Sequence, residues 1–137
     1  MKQHIDVDWK GNMKFESVIG NHLVKVDAST EVGGDDSAPG PKRLLLMGLA
    51  GCTGMDVVSL MKKMRIEVDD FHMKVEAELT EEHPKHYVSM HLIYYFKGKG
   101  LPLDKLTKIV EMSQEKYCGV AATFRQGMPV TWEIKLE

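Results

Sequence analysis

Apolar residues fall at every second position near the start of the chain: Ile5, Val7 and Trp9, then Met13 and Phe15, then Val24 and Val26, with a turn at Gly20-Asn21. A period of two predicts three short strands. From Ala28 to Pro41 the alternation gives way to "ASTEVGGDDSAPGP", predicted as a long irregular loop beside a helix. The stretch "LLLMGLAGCTGMDVVSLMKKM", Leu44 to Met64, then reads as one long helix. Alternation returns in Phe71, Met73, Val75, Ala77 and Leu79 and again in Val88, Met90, Leu92, Tyr94 and Phe96, which predicts a long hairpin across "TEEHPK". Leu103, Leu106, Ile109, Val110 and Ser113 mark one face of a second helix running to about Lys116, with Pro102 suited to its first turn. The segment "YCGVAATFRQG" predicts a short helical piece closed by Gly127, and Val130, Trp132, Ile134 and Leu136 a last strand.

The order βββ-α-ββ-α-β has its strands in runs instead of strict alternation with helices. It predicts an α+β fold with largely antiparallel pairing, in a single domain over residues 1–137. The first helix adds a further expectation. Each interior glycine costs about 1 kcal/mol relative to alanine, so Gly48, Gly51 and Gly54 weaken this segment unless close packing offsets them. From Leu44 to Val58 the helix is apolar on almost every side, whereas a helix lying on one sheet shows a polar face. Full coverage predicts a second protomer, and hence a homodimer, with the glycines admitting a neighbouring backbone around Cys52.

Composition narrows the function. With 43% hydrophobic and 28% charged residues and a net charge of −2, the balance is that of an ordinary soluble domain. Lysines and carboxylates are interspersed without a basic stripe, so nucleic acid is not an expected partner. Residues Met1 to Lys10 lack the apolar run of a secretory signal. The run from Leu44 meets Asp56, Lys62 and Lys63 before the roughly 20 residues a bilayer requires. A cytoplasmic protein with no membrane association is expected.

Two cysteines, Cys52 and Cys118, are too few for a disulfide framework and lack the CxxC spacing of a zinc or thioredoxin site. Free cysteine often serves as a small buried hydrophobe. In "AGCTG", however, small neighbours leave room for another molecule beside the Cys52 sulfur, which needs thiolate character to react. Cys118 falls at the junction of two helical pieces, where free N–H groups stabilise an anion. Both cysteines lie on helices expected to pack in one core, and a pair that can meet suggests attack, sulfenate formation and disulfide closure. Asp56, one turn after Cys52, is a candidate for orienting a substrate or cation. His83 and His86 in "EEHPKHY", with His91, invite a metal, but structural zinc sites want four ligands at recognised spacings, so no metal is expected. His72 and His91 read as facing each other across the hairpin.

"LLLMGLAGCTGMDVV" and "EKYCGVAATFRQG", with the strand order around them, resemble the OsmC/Ohr family, the osmotically inducible and organic hydroperoxide resistance proteins. The resemblance implies an intertwined homodimer whose central helices are wrapped by antiparallel sheets from both chains, with active sites at the interface. By position, Cys52 matches the peroxidatic cysteine that attacks an organic hydroperoxide, and Cys118 the resolving cysteine. It further implies reduction by a dithiol, of lipoyl or thioredoxin type, and no metal or flavin cofactor. The family's peroxidases carry a glutamate about ten residues before the first cysteine, holding an arginine from the N-terminal strands against the thiolate. Here "PGPKRLLL" has Lys42 and Arg43 in that place, and the N-terminal strands contain no arginine. Lys42 and Arg43, about 15 Å along a helix from Cys52, and Arg125, on the piece carrying Cys118, are the candidate replacement cations. The alternative to a peroxidase is a dimeric protein that binds an apolar small molecule, or a thiol redox sensor, with little turnover.

Overall fold

The computed structural model describes residues 1–137, and in it the chain divides into two units, Met1–Leu45 and Leu46–Glu137. In the first, β1 (Asp8–Trp9), β2 (Phe15–Ile19) and β3 (His22–Val26) form an antiparallel sheet in sequential order. Ile19 pairs with His22, so Gly20 and Asn21 make a two-residue turn, and Gly20 has the positive φ of 65° that such tight hairpin turns demand. The loop that follows is ordered by one side chain. Asp27, almost fully buried, accepts the Ala28 N–H at 2.7 Å, the Ser37 N–H at 3.0 Å and the Ser37 hydroxyl at 2.6 Å. The Ser37 hydroxyl and N–H lead in holding its carboxyl down at about 2. Within the loop Thr30–Val32 forms a turn of 3-10 helix, so the stretch expected to be irregular has a short regular piece and a closed internal bonding pattern.

The helix α1 (Pro41–Lys63) starts on a proline, whose missing N–H and fixed φ suit the first helical position. Lys62 and Lys63 in its last turn oppose the negative end of the helix dipole. It ends with Arg65 at φ 56° and with the N–H groups of Ile66 and Arg65 reaching back to the carbonyls of Met61 and Lys62, a Schellman closure built on arginine where glycine is usual.

In the second unit, β4 (Asp70–Leu79), β5 (Tyr87–Lys97) and β6 (Val130–Leu136) form a sheet in that order. Phe71, Met73, Val75 and Ala77 of β4 alternate half-buried with exposed neighbours. Met90, Leu92, Tyr94 and Phe96 of the central strand are fully buried. Against them pack Leu49, Val57 and Met61 of α1 and Leu106, Ile109 and Val110 of α2 (Leu103–Met112), together with Ala121 of α3 (Gly119–Arg125).

Two expectations, on the second helix and on the histidine pair, require correction here; the pairing is largely antiparallel as expected, except that β6 lies parallel to β5, Leu92 opposite Trp132 and Tyr94 opposite Ile134. The connection between them carries α2 and α3, and a helical crossover is what parallel neighbours need. The second helix is α-helical only to Met112, after which Ser113–Tyr117 form a π-turn. The two histidines do not face each other either, since His72 is opposite Tyr95 and His91 opposite Glu76.

By length and hydropathy α1 does satisfy what a bilayer span needs, charged residues notwithstanding. Its Leu49, Thr53, Gly54, Val57 and Met61 are nevertheless buried in the protein, which makes it the core helix. The opposite stripe is open: Met47, Met55 and Val58 are 71%, 75% and 51% exposed.

Candidate functional site

Cys52 and Cys118 are brought together by α1 and by the start of α3. Cys52 is half-buried against the core, Cys118 is 3% exposed, and both are free thiols. Cys52 lies near enough to the Cys118 sulfur to raise its pKa. Cys118 is the N-cap of α3, and its sulfur accepts the Ala121 N–H at 3.4 Å. That bond favours an anion, as expected of the helix junction, but burial outweighs it. Burial first, then the neighbouring Cys52 and the charge of Asp56, push the Cys118 thiol up to about 11. Cys118 therefore keeps its proton at neutral pH.

The remaining candidates separate cleanly. Lys42 and Arg43 sit exposed on the first turn of α1 and take no part in the cluster around the sulfurs. Asp56 does: its Oδ2 accepts the Ser113 hydroxyl at 2.8 Å, and no lysine pairs with it. Arg125 also belongs, donating through both terminal nitrogens to the backbone carbonyl and the side-chain Oε1 of Gln114.

Four further residues were not singled out by sequence as site residues. Tyr94 and Thr53 hydroxyls lie 2.6 Å apart, Thr53 and Ser113 hydroxyls 2.7 Å apart, and Gln114 Nε2 donates to the Tyr94 oxygen at 2.7 Å. All four are buried. The π-turn places Ser113 and Gln114 here, with the Cys118 N–H bonded to the Ser113 carbonyl at 2.7 Å. A hydroxyl at Ser113 on an otherwise apolar helix face was the available signal. Tyr94 gave none, because its ring fills an apolar position of β5 like any other.

Histidines at the hairpin turn do not gather. His86 Nδ1 bonds the Pro84 carbonyl at 2.7 Å, while His91 is held on the sheet by Thr131 at 2.7 Å and Glu133 at 2.8 Å. A cleft of about 540 Å³ bounded by Thr80, Glu82, His83 and His86 lies at that turn, away from the thiols.

The protonation and burial of Cys118 have a direct chemical readout. At neutral pH, iodoacetamide is expected to label Cys52 in the folded protein and to spare Cys118 until denaturant is added, as peptide mass mapping will report. Raised above the ordinary thiol value of 9.0 to about 11, the Cys118 group holds its proton longer folded than unfolded. Its contribution to stability is thus complete below pH 9 and is lost as pH rises through 11. Equal labelling of both cysteines in the native state will contradict this assignment.

Residues 34–133 match the family described as OsmC-like protein. The chain is 32% identical over 127 residues to Protein YhfA of Escherichia coli strain K12, covering 91% of each. Among solved structures it is similar to a hypothetical protein from Aquifex aeolicus VF5, with a TM-score of 0.81, 27% identity, and coverage of 100% of this chain and 98% of that one. It also shares its fold with the organic hydroperoxide resistance protein OhrB of Bacillus subtilis, at a TM-score of 0.68, 19% identity and coverage of 97% and 98%. The two sheets and three helices described above are those of the OsmC-like structures.

Proposed function

This chain belongs to the OsmC-like protein family, and from that premise we propose that it is a thiol-dependent peroxidase of organic hydroperoxides. The observation that carries the proposal is the pair of neighbouring free thiols on separate elements, one half-buried and one buried with its proton retained. Cys52 as thiolate attacks the terminal oxygen of ROOH. The S–O bond forms as the O–O bond breaks, a proton from solvent completes ROH, and Cys52 is left as sulfenic acid. The Cys118 sulfur then displaces the sulfenate oxygen, which leaves as water with the Cys118 proton, and the disulfide closes. An external dithiol, of lipoyl or thioredoxin type, takes up the oxidising equivalents by exchange and restores both thiols. In this proposal the protein works in the cytoplasm without metal or flavin, and as a homodimer in which a second copy covers the open stripe of α1, Met47, Met55 and Val58.

One observation favours a binding or sensing role with little turnover. No arginine donates to the thiols: Arg43 stands on the exposed first turn of α1 and Arg125 directs its terminal nitrogens to Gln114, whereas a guanidinium beside the sulfur would stabilise thiolate and peroxide oxygen together.

Thiol counting separates the two. Reduced protein given an equimolar amount of cumene hydroperoxide is expected to lose both thiols of each chain within seconds to minutes. Cys52→Ser is expected to abolish that loss, and Cys118→Ser to stop at a sulfenate trapped by dimedone. Oxidation over hours, at the pace of an ordinary thiol, will sink the peroxidase and leave the binding role.

A further inference from the structure

Polar groups around the thiols, buried except at the two ends, form a chain whose every hydrogen has a fixed direction, set by those ends. Asp56 accepts from Ser113, which uses the single proton of the Ser113 hydroxyl. The Thr53 hydroxyl, 2.7 Å away, must therefore donate to Ser113. With its proton spent, Thr53 accepts from the Tyr94 hydroxyl at 2.6 Å. At the other end a guanidinium can only donate, so the Gln114 atom facing Arg125 is its oxygen, and its amide nitrogen is left to donate to the Tyr94 oxygen at 2.7 Å. The sequence of donation runs Arg125, Gln114, Tyr94, Thr53, Ser113, Asp56. A cation closes one end and a carboxylate the other, so each bond polarises the next in the same sense.

The placement of this chain along the sequence gives it a task. Thr53 and Asp56 follow Cys52 on α1, one and four residues later. Ser113 and Gln114 precede Cys118 in the π-turn, and Arg125 closes α3 after it. Tyr94 links the two groups from the floor of the sheet. Arg125 also donates to the Gln114 backbone carbonyl, and the Cys118 N–H bonds the Ser113 carbonyl, so the backbone is tied on both sides of Cys118. Thr53 is the junction at which the cysteine-bearing helix meets the rest.

We propose that this directional chain is a positioning device that holds Cys52 and Cys118 at the separation from which a disulfide closes. The proposal rests on the reading that these two thiols form that bond. A proton relay is a poorer account, because moving protons along the chain toward Asp56 would leave a buried phenolate at Tyr94, whose hydroxyl is already made harder to ionise by its burial.

Thr53→Val replaces the hydroxyl by a methyl of the same shape and cuts the chain at its junction, and Thr53→Ser restores it. The readout is the effective concentration of the thiol pair, obtained by equilibrating the protein against mixtures of reduced and oxidised dithiothreitol. Thr53→Val is expected to lower it about tenfold, in line with the sensitivity of intramolecular steps to sub-ångström displacement, and Thr53→Ser to return it to the starting value. Tyr94→Phe, which removes the donor to Thr53, is expected to act as Thr53→Val does and serves if that variant does not fold. In a Cys118→Ser chain, the rate of Cys52 alkylation is expected to be the same with and without the Thr53→Val change, which a general loosening of the fold would not permit. Unchanged effective concentration in folded Thr53→Val or Tyr94→Phe will overturn the proposal, as will a starting protein that never closes the disulfide. Closure by dithiothreitol without any response to cumene hydroperoxide will overturn the peroxidase alone.

Discussion

Gly34→Ala is expected to lower the melting temperature by about 10 °C, the equivalent of about 3 kcal/mol for a chain of this size. A Cβ on Gly34 would overlap the Ala28 carbonyl oxygen and stand 2.5 Å from its carbon. Both are backbone atoms with nowhere to go. The Ala28 carbonyl accepts the Asp36 N–H at 3.0 Å, the Gly34 N–H reaches the Ser29 carbonyl at 2.9 Å, and Asp27 ties both ends of the segment through Ala28 and Ser37. Relief of the overlap therefore breaks the bonding that closes the loop. Gly40→Ala is the control, since nothing lies within 4 Å of its Cβ position. A thermal scan in which Gly34→Ala and Gly40→Ala melt together will show that the loop accommodates the methyl group.

Gly51→Leu is expected to convert the proposed dimer into a monomer at micromolar concentration while the protomer stays folded. Apart from its chain neighbours and the helix's own backbone, nothing in the same chain lies within 4 Å of a Cβ at Gly51 or Gly48, and removing an interior glycine gains about 1 kcal/mol of helix propensity. Within one protomer the change is harmless. If the open stripe of α1 is where a second copy sits, the added isobutyl group enters that contact. A dissociation constant raised about a hundredfold corresponds to about 3 kcal/mol, and sedimentation velocity resolves it. Gly54 differs, because Met73 Cε already stands 2.6 Å from its Cβ position, so that glycine is explained inside the protomer. A Gly51→Leu chain that dimerises as tightly as the original will show that α1 is covered elsewhere or not at all.

Periodicity exposed most of the elements because the physical cause of each is local. Alternation in Phe71–Leu79 and Val88–Phe96 follows from one face of β4 and β5 meeting the core, and Leu106, Ile109 and Val110 report the buried stripe of α2. Pairing direction was not legible, since Val130, Trp132, Ile134 and Leu136 alternate in the same way whether β6 runs with β5 or against it. The π-turn was hidden for a related reason: one extra residue per turn at Ser113–Tyr117 leaves Ser113 on the apolar face and changes only what comes after. Around the thiols, Cys52, Cys118, Asp56 and Arg125 stood out as reactive or charged residue types. Thr53 and Gln114 did not, because their importance comes from partners 41 and 20 residues away, a relation no local pattern encodes.

The parallel alignment of β6 on β5 bears on what a fragment of this protein would be. Cys118 sits inside the crossover that joins those strands, so its location is decided only when residues on either side of it have found the same sheet. A peptide spanning α1 alone carries one sulfur with no companion, and a truncation short of Val130 keeps both in the text without the scaffold that sets them side by side. Proximity of the pair belongs to the completed topology, and it depends on contacts of high sequence separation, the kind that slow folding.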